Sequence, residues 1–156
     1  MEGNFLEKCA VKSEVPADIN GSGLTGARVD MSKTYKLAIK VNYASAAAGA
    51  DITLLQHDAA SGGTSKALSI SNAYYKSLAG AAFTKEEISG VSNITDADLN
   101  GSAGVIVVEI NAEDLDVNNG FSFVSANLAD PAVARVVAVD YVGHNLRVMP
   151  GYDQVL

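Results

Sequence analysis

The sequence predicts an all-β fold, an antiparallel β-sandwich of jelly-roll type with one or two short helical turns and an extended N-terminal arm. Hydrophobic residues make up 48% of the 156 residues, yet only 6% of the residues are aromatic and tryptophan is absent. Short β-branched runs recur at fairly regular spacing, and stretches rich in Gly, Ser and Asn separate them. This pattern is typical of seven or eight short strands joined by tight turns.

The chain divides into an arm, residues 1–27, and a single β-sandwich domain, residues 28–156. The arm has no sustained periodicity, and its Val15-Pro16 and Asn20-Gly21 pairs favour loops. One short strand is predicted near residues 6–11. Because the arm offers few core residues, it needs a surface to lie on, which is either its own domain or a neighbouring subunit.

The clearest strand is residues 35–43, where Tyr, Leu, Ile, Val and Tyr alternate with polar residues. A period of two predicts a half-buried antiparallel strand. Residues 51–57 predict the next strand, and residues 58–64 a tight loop. Residues 104–110 are β-branched on both faces, which predicts a central strand buried from both sides. Further β regions are predicted at residues 68–75, at residues 121–123 and from about residue 134.

Two short helical turns are predicted. Thr84 and Glu87 stand at the spacing of a capping box, in which the threonine and the glutamate each accept a hydrogen bond from a backbone amide. Gly90 then occupies the place of a C-terminal cap. Residues 112–115 predict a second, single turn.

Charge and composition narrow the classes of partner. The net charge is −7, and the eleven Lys and Arg residues are scattered, so we expect no nucleic-acid partner. Cys9 is the single cysteine and predicts no internal disulfide. Residues 1–10 lack the apolar run of a signal peptide, and no stretch has the length of a membrane span. We therefore expect synthesis in a cytoplasm and no membrane partner.

An acidic motif at residues 96–101 reads Asp-Ala-Asp-Leu-Asn-Gly, from Asp96 to Gly101, and matches the first half of an EF-hand loop. The bidentate glutamate of such a loop is replaced by Val107, in a predicted buried strand. Residues 114–120 form a second acidic stretch that ends in Asn-Asn-Gly. Both stretches favour turns over calcium sites.

The remaining motifs do not predict a catalytic or binding site either. His57 and His144 stand at or near predicted strand ends, without a nucleophile elbow or zinc-ligand spacing. The G-x-G-x-x-G pattern at residues 21–26 lacks a preceding strand and a following helix. The Asn93-Ile94-Thr95 sequon has no meaning without secretion. We predict no catalytic, cofactor-binding or metal residues, no cofactor, and a chain that is not an enzyme.

Several stretches, taken in order, resemble a family of small head-decoration, or cement, proteins of tailed bacteriophages. The similarity spans roughly residues 35–150 and concerns spacing and composition. The first 30 residues match nothing in that family. The stretches are residues 63–68, 74–76, 107–110, 113–121 and 147–150.

The resemblance implies a structural virion protein that decorates and stabilises an icosahedral capsid through protein–protein contacts. It implies a β-rich fold, the major capsid protein as partner, a homo-oligomer that is often a trimer, and a location on the capsid surface. It carries no catalytic residues. A compact sandwich with an arm that orders on assembly suits this role, because the arm loses its conformational entropy only on binding.

Two alternatives stay open. One is a tail, neck or head-completion protein of the same kind of particle. The other is a carbohydrate-binding β-sandwich module, for which Tyr74 and Tyr75 are the only adjacent aromatic pair. The absence of tryptophan argues against the second alternative, because sugar-binding faces stack on exposed aromatic rings.

Overall fold

Two antiparallel sheets pack against one hydrophobic core, which confirms the predicted all-β sandwich. The computed structural model describes residues 9–69, 73–88, 90, 92–95 and 101–146. No helix among these residues is long and apolar enough to cross a membrane. The strands are β1 Ala10–Ser13, β2 Ala17–Asp18, β3 Val29–Asp30, β4 Thr34–Tyr43, β5 Ile52–His57, β6 Ser65–Ala67, β7 Ala73–Leu78, β8 Thr84–Glu87, β9 Asn93–Ile94, β10 Gly104–Asn111, β11 Phe123–Leu128 and β12 Val136–Leu146.

The larger sheet has seven strands in the order β1-β12-β4-β10-β7-β8, with β2 also paired to β12. The smaller sheet has five strands in the order β3-β11-β5-β6, with β9 also paired to β5. The chain crosses between the sheets at β2–β3, β3–β4, β4–β5, β6–β7, β8–β9, β9–β10, β10–β11 and β11–β12. Strands distant in sequence therefore become neighbours, as in other sandwiches.

Strand β4 confirms the alternation that predicted it. Leu37, Ile39 and Val41 are fully buried, while Lys36 lies on the opposite face. By the alternation, Tyr35 lies on the same face of the strand as these buried residues, but it is 55% exposed. Strand β10 ends opposite Lys36, so the beginning of β4 has no neighbour on that side.

Strand β10 is central, as predicted, because it lies between β4 and β7. The prediction that it is buried from both sides is wrong. Ile106 and Val108 are buried, whereas Val105 and Val107 on the other face are only half-buried. Valine on that face reflects the preference of β-branched side chains for a pleated sheet rather than for a covered one.

The predicted helical turn at Thr84 is also wrong, because Thr84–Glu87 is strand β8. This segment pairs antiparallel with β7, and Thr84 Oγ1 donates to the Lys76 carbonyl at 3.4 Å. Lys76 and Glu86 form an ion pair across the two strands, with 3.1 Å between Nζ and Oε1. Gly90 has a φ of +68° but follows a strand. The backbone hydrogen bonds of a sheet stabilise a four-residue segment more than one capped helical turn does, because helix nucleation is costly.

The second predicted turn is confirmed as a 3₁₀ helix, Ala112–Asp114. The backbone amide of Asn111 donates to Asp114 Oδ2 at 2.8 Å, which fixes the start of the turn. Two further 3₁₀ helices are described, Met31–Lys33 and Val117–Asn119.

The N-terminal segment packs on its own domain from residue 10 to residue 27. Strands β1 and β2 pair with β12 of the larger sheet, and Leu24 then bridges to Leu128 of the smaller sheet. Ala10 and Ile19 belong to the hydrophobic core. The segment therefore closes one side of the sandwich by joining both sheets. Residues 6–8 of the strand predicted at residues 6–11 lie outside the described residues, and its last two residues belong to β1.

A buried tyrosine fastens this segment. Tyr141 is fully buried, and its hydroxyl donates to Glu14 Oε1 at 3.1 Å. The same carboxylate oxygen accepts the Ala27 amide at 2.6 Å. Burial raises the pKa of Tyr141, and the Glu14 charge adds to the shift, so the hydroxyl keeps its proton. Gly26 passes so close that a Cβ there would collide with the Ala126 carbonyl oxygen.

A buried arginine ties the loops at one end of the sandwich. Arg135 is only 2% exposed, and its guanidinium donates to the carbonyls of Ala44, Ala48 and Ser102 at 3.2, 2.8 and 3.2 Å. The guanidinium also lies over the Tyr43 ring, 4.6 Å from the centroid. Two loops far apart in sequence, the β4–β5 loop and the loop before β10, thus share one donor group.

Candidate interaction surface

The larger sheet has an outer face, formed by the side chains that point away from the core. Directly paired residues of antiparallel strands share a face, so the register defines rows of neighbours across the sheet. The central row is Asp140, Lys40, Val107, Tyr75 and Lys85, from β12 to β8.

Two further rows flank the central row. The first runs Val142, Ala38, Glu109, Ala73 and Glu87. The second runs Ala138, Asn42, Val105 and Ser77. The rows alternate small, apolar and charged side chains, so the face is neither a polar solvent-facing surface nor a continuous apolar one.

Apolar side chains on this face remain accessible. Val136, Tyr75 and Val11 are 47%, 40% and 38% exposed, and Val107 is half-buried. Among the described residues, both sheets belong to a single sandwich and no third layer covers this face. Accessible apolar side chains that stand between charged ones fit a surface that packs against another protein.

The outer face carries nearly balanced charge. Three lysines and four acidic residues give it a formal charge of −1, whereas the whole chain carries −7. Most of the excess negative charge therefore comes from other parts of the chain. Another acidic protein is repelled less by this face than by those parts. The seven residues are Lys36, Lys40, Lys85, Asp18, Glu87, Glu109 and Asp140.

Two hollows indent this face. One, of about 460 Å³, is mostly apolar and is lined by Ala44, Ala79, Ala103 and Val136 among others. The other, of about 340 Å³, is polar. Its lining includes Lys36, Tyr75, Lys85, Glu87 and Glu109.

His57 forms a buried polar network on the face of the smaller sheet that points away from the core. It is 4% exposed, with Nδ1 2.6 Å from Ser65 Oγ and Nε2 2.8 Å from Ser125 Oγ. Ser125 Oγ donates to Asn127 Oδ1 at 3.3 Å, and that oxygen can only accept. Ser125 therefore accepts from Nε2–H, and Nδ1 accepts from the Ser65 hydroxyl. Burial lowers the pKa of His57, and the charge of Arg28 adds to the effect.

This network is better explained as structural than as catalytic. A serine next to a neutral imidazole resembles a nucleophile with its base. However, the group on the far nitrogen is the hydroxyl of Ser125, which orients the ring but does not stabilise an imidazolium as a carboxylate does. The network joins β5, β6 and β11. Sequence reasoning placed His57 at a strand end, which is confirmed, but did not foresee its burial.

The second histidine of the sequence, His144, lies elsewhere in the structure. His144 belongs to the outer face, with Nε2 4.0 Å from Glu109 Oε1, whereas His57 belongs to the smaller sheet. The two histidines are therefore not brought together. Within the described ranges, no group of three or more His, Cys, Asp or Glu side chains is placed to hold a metal ion. Residues 96–100 of the EF-hand-like motif lie outside those ranges.

The acidic stretch at residues 114–120 forms a turn, as predicted. Its 3₁₀ helix ends at Gly120, whose φ is +85°. Asp116 accepts two hydrogen bonds from Asn119 Nδ2, at 2.9 and 2.8 Å, and pairs with Lys66. The Lys66 contact is the main cause of the lowered pKa of Asp116. Lys66 also lies 4.4 Å from the centroid of the Phe121 ring.

The glycine-rich stretch at residues 21–26 is packed against the sandwich rather than open to a phosphate. The Gly23 amide donates to the Ile19 carbonyl at 2.9 Å, and the Leu24 amide to the Leu128 carbonyl at 2.9 Å. The Gly26 amide donates to Asn127 Oδ1 at 3.1 Å. These amides already have acceptors within the protein.

The two adjacent tyrosines do not form a joint stacking platform. Tyr74 packs against the hydrophobic core, whereas Tyr75 stands on the outer face. Neighbouring residues of a strand point to opposite sides of the sheet, so the pair cannot present both rings to one sugar.

Comparison with protein families, curated proteins and solved structures finds no match to this chain.

Proposed function

We propose that the chain is a structural protein of a tailed-phage particle, which decorates and stabilises the head through contacts with the major capsid protein. The observation that carries this proposal is the outer face of the seven-stranded sheet, which is accessible, partly apolar and nearly charge-balanced. Apolar and charged side chains that alternate over several strands suit contact with another protein surface.

Rigidity of the sandwich supports the same role. The N-terminal segment closes one side, and Arg135 ties the loops at one end. A rigid module orders few side chains and loops on binding, so less of the contact energy is lost as entropy. The net charge of −7 also favours solubility before assembly.

The nature of the partner and the copy number rest on the resemblance to phage decoration proteins. That resemblance implies the major capsid protein as partner and a homo-oligomer, often a trimer. No observation on the outer face favours a carbohydrate ligand, because Tyr75 is the one ring of the adjacent pair that reaches it.

Binding to phage heads tests the proposal. Heads of the phage that encodes the chain are prepared without its gene, mixed with the purified protein and sedimented. We expect saturable co-sedimentation with heads and none with isolated tails. Binding to tails alone would favour the tail or neck alternative. Binding to neither would overturn the virion proposal.

A further inference from the structure

We infer that the outer face binds a second copy of this chain around a twofold axis that runs along β10. The contact goes beyond the proposed decoration of a capsid, because it forms in solution without capsid protein. It uses the face proposed to bind the capsid, so the pair must separate before that face meets a head. It follows from the strand order and register of the larger sheet together with the charges of the central row.

The strand order of the face is symmetric about β10. In the order β1-β12-β4-β10-β7-β8, two strands lie on each side of β10 before β1 is reached. A twofold axis parallel to β10, just above its outer surface, sets β4 of one copy opposite β7 of the other. The same axis sets β12 opposite β8.

The central row is self-complementary in this frame. Asp140 of one copy stands opposite Lys85 of the other, so opposite charges meet twice. Lys40 stands opposite Tyr75, which places an ammonium group against an aromatic ring. Val107 stands opposite itself on the axis and gives an apolar centre.

The flanking rows let the two sheets approach. Ala38 meets Ala73, and Asn42 meets Ser77, so small side chains face each other at about the 10 Å spacing of packed sheets. Glu109 meets itself on the axis, and this is the repulsive element of the contact. Lys36 and Lys85 line the same hollow as Glu109 and moderate that repulsion.

The area of the face indicates a reversible pair. Five facing strands at about 4.8 Å spacing and about four outward positions along each give a footprint of roughly 19 by 20 Å, or about 400 Å² per copy. A stable interface covers about 800 Å² per partner. We therefore expect association that depends on protein concentration.

A second copy binds more favourably at this face than at the more acidic surfaces of the chain. Two chains of −7 repel each other unless they meet where charge is nearly balanced. A trimer uses two different surfaces on each subunit, whereas a self-complementary face forms a twofold contact. A trimer would therefore use surfaces other than this one.

Charge reversal tests the pairing of Asp140 with Lys85. Sedimentation equilibrium measures the dissociation constant of the full chain and its variants. Asp140→Lys and Lys85→Glu should each weaken association at least tenfold, because like charges then meet twice. The double variant should return to within about threefold of the wild type. Lys33→Glu, an equal charge change outside the face, should leave association unchanged.

Glu109→Gln provides a second test with the opposite sign. It removes the like-charge contact on the axis, so association should become several-fold tighter. Far-ultraviolet circular dichroism confirms that each variant is folded. A chain that stays monomeric to millimolar concentration, a trimer as the smallest oligomer, or a double variant no tighter than the single ones would overturn the inference. Head binding is scored separately by sedimentation with capsids, so either proposal can fail alone.

Discussion

Arg135 and His57 show how single buried polar side chains join separate segments of this fold. Each is buried and spans segments distant in sequence: Arg135 binds three loop carbonyls, and His57 lies between two serine hydroxyls. Neither role was predictable from the sequence. The partners are backbone carbonyls or serines that only the fold brings near, and a polar residue in a β-branched run is usually assigned to the exposed face.

Replacement of Arg135 tests the loop anchor. Arg135→Met keeps most of the apolar stem but leaves three carbonyls without this donor. At about 1 kcal/mol for each lost hydrogen bond, the free energy of unfolding should fall by about 3 kcal/mol. Urea denaturation measures it. Lys33→Met, at a side chain that is 48% exposed, should change it by less than about 0.5 kcal/mol. Equal effects of both changes would contradict the anchor.

The lowered pKa of His57 predicts a pH dependence of stability. The unfolded chain takes up a proton near pH 6.5, whereas the folded chain does so only at lower pH. The contribution of His57 to the free energy of unfolding is therefore complete well above pH 6.5. It falls as the solution is acidified from about pH 7 to about pH 5, before carboxylates titrate. Unfolding curves across this range measure the slope.

A matched pair of variants assigns this slope to one residue. His57→Gln should remove it, whereas His144→Gln, on the outer face, should retain it. A slope that survives His57→Gln would show that another group titrates.

Strands β4 and β8 show which elements a sequence reveals. From Lys36 onward strand β4 alternates and is flanked by strands on both sides, so its pattern and its burial agree there. The segment Thr84–Glu87 carries a local helix signal, but its neighbour β7 offers a ladder of backbone hydrogen bonds. Local patterns of four residues are decided by tertiary pairing, and this pairing cannot be read from the segment itself.

The N-terminal segment is a structural element of the sandwich, and Tyr141 tests this role. Tyr141→Phe removes the hydroxyl that donates to Glu14 while keeping the ring. We expect the free energy of unfolding to fall by about 1 kcal/mol. Tyr75→Phe, on the outer face, serves as the control and should change it by less than about 0.5 kcal/mol. Equal stability of Tyr141→Phe and the wild type would mean that the hydroxyl contributes nothing to fastening the segment.

At the scale of the whole molecule, the fold class was predictable and the candidate surface was not. Alternating and β-branched runs with Gly-rich and Asn-rich turns are enough to predict a sandwich. The central row joins residues 40, 75, 85, 107 and 140, which come together only through the strand order. The near balance of charge on this face is likewise invisible in a chain whose total is −7.

The most direct measurement of the proposed function is the position of the protein on the particle. Under the proposed function the chain is encoded by a tailed phage. Heads and tails of that phage are imaged by cryo-electron microscopy without the purified chain and again after saturation with it. We predict additional density of sandwich size repeated over the capsid lattice, in contact with the major capsid protein. Density confined to the tail or neck, or no added density at saturating concentration, would contradict head decoration.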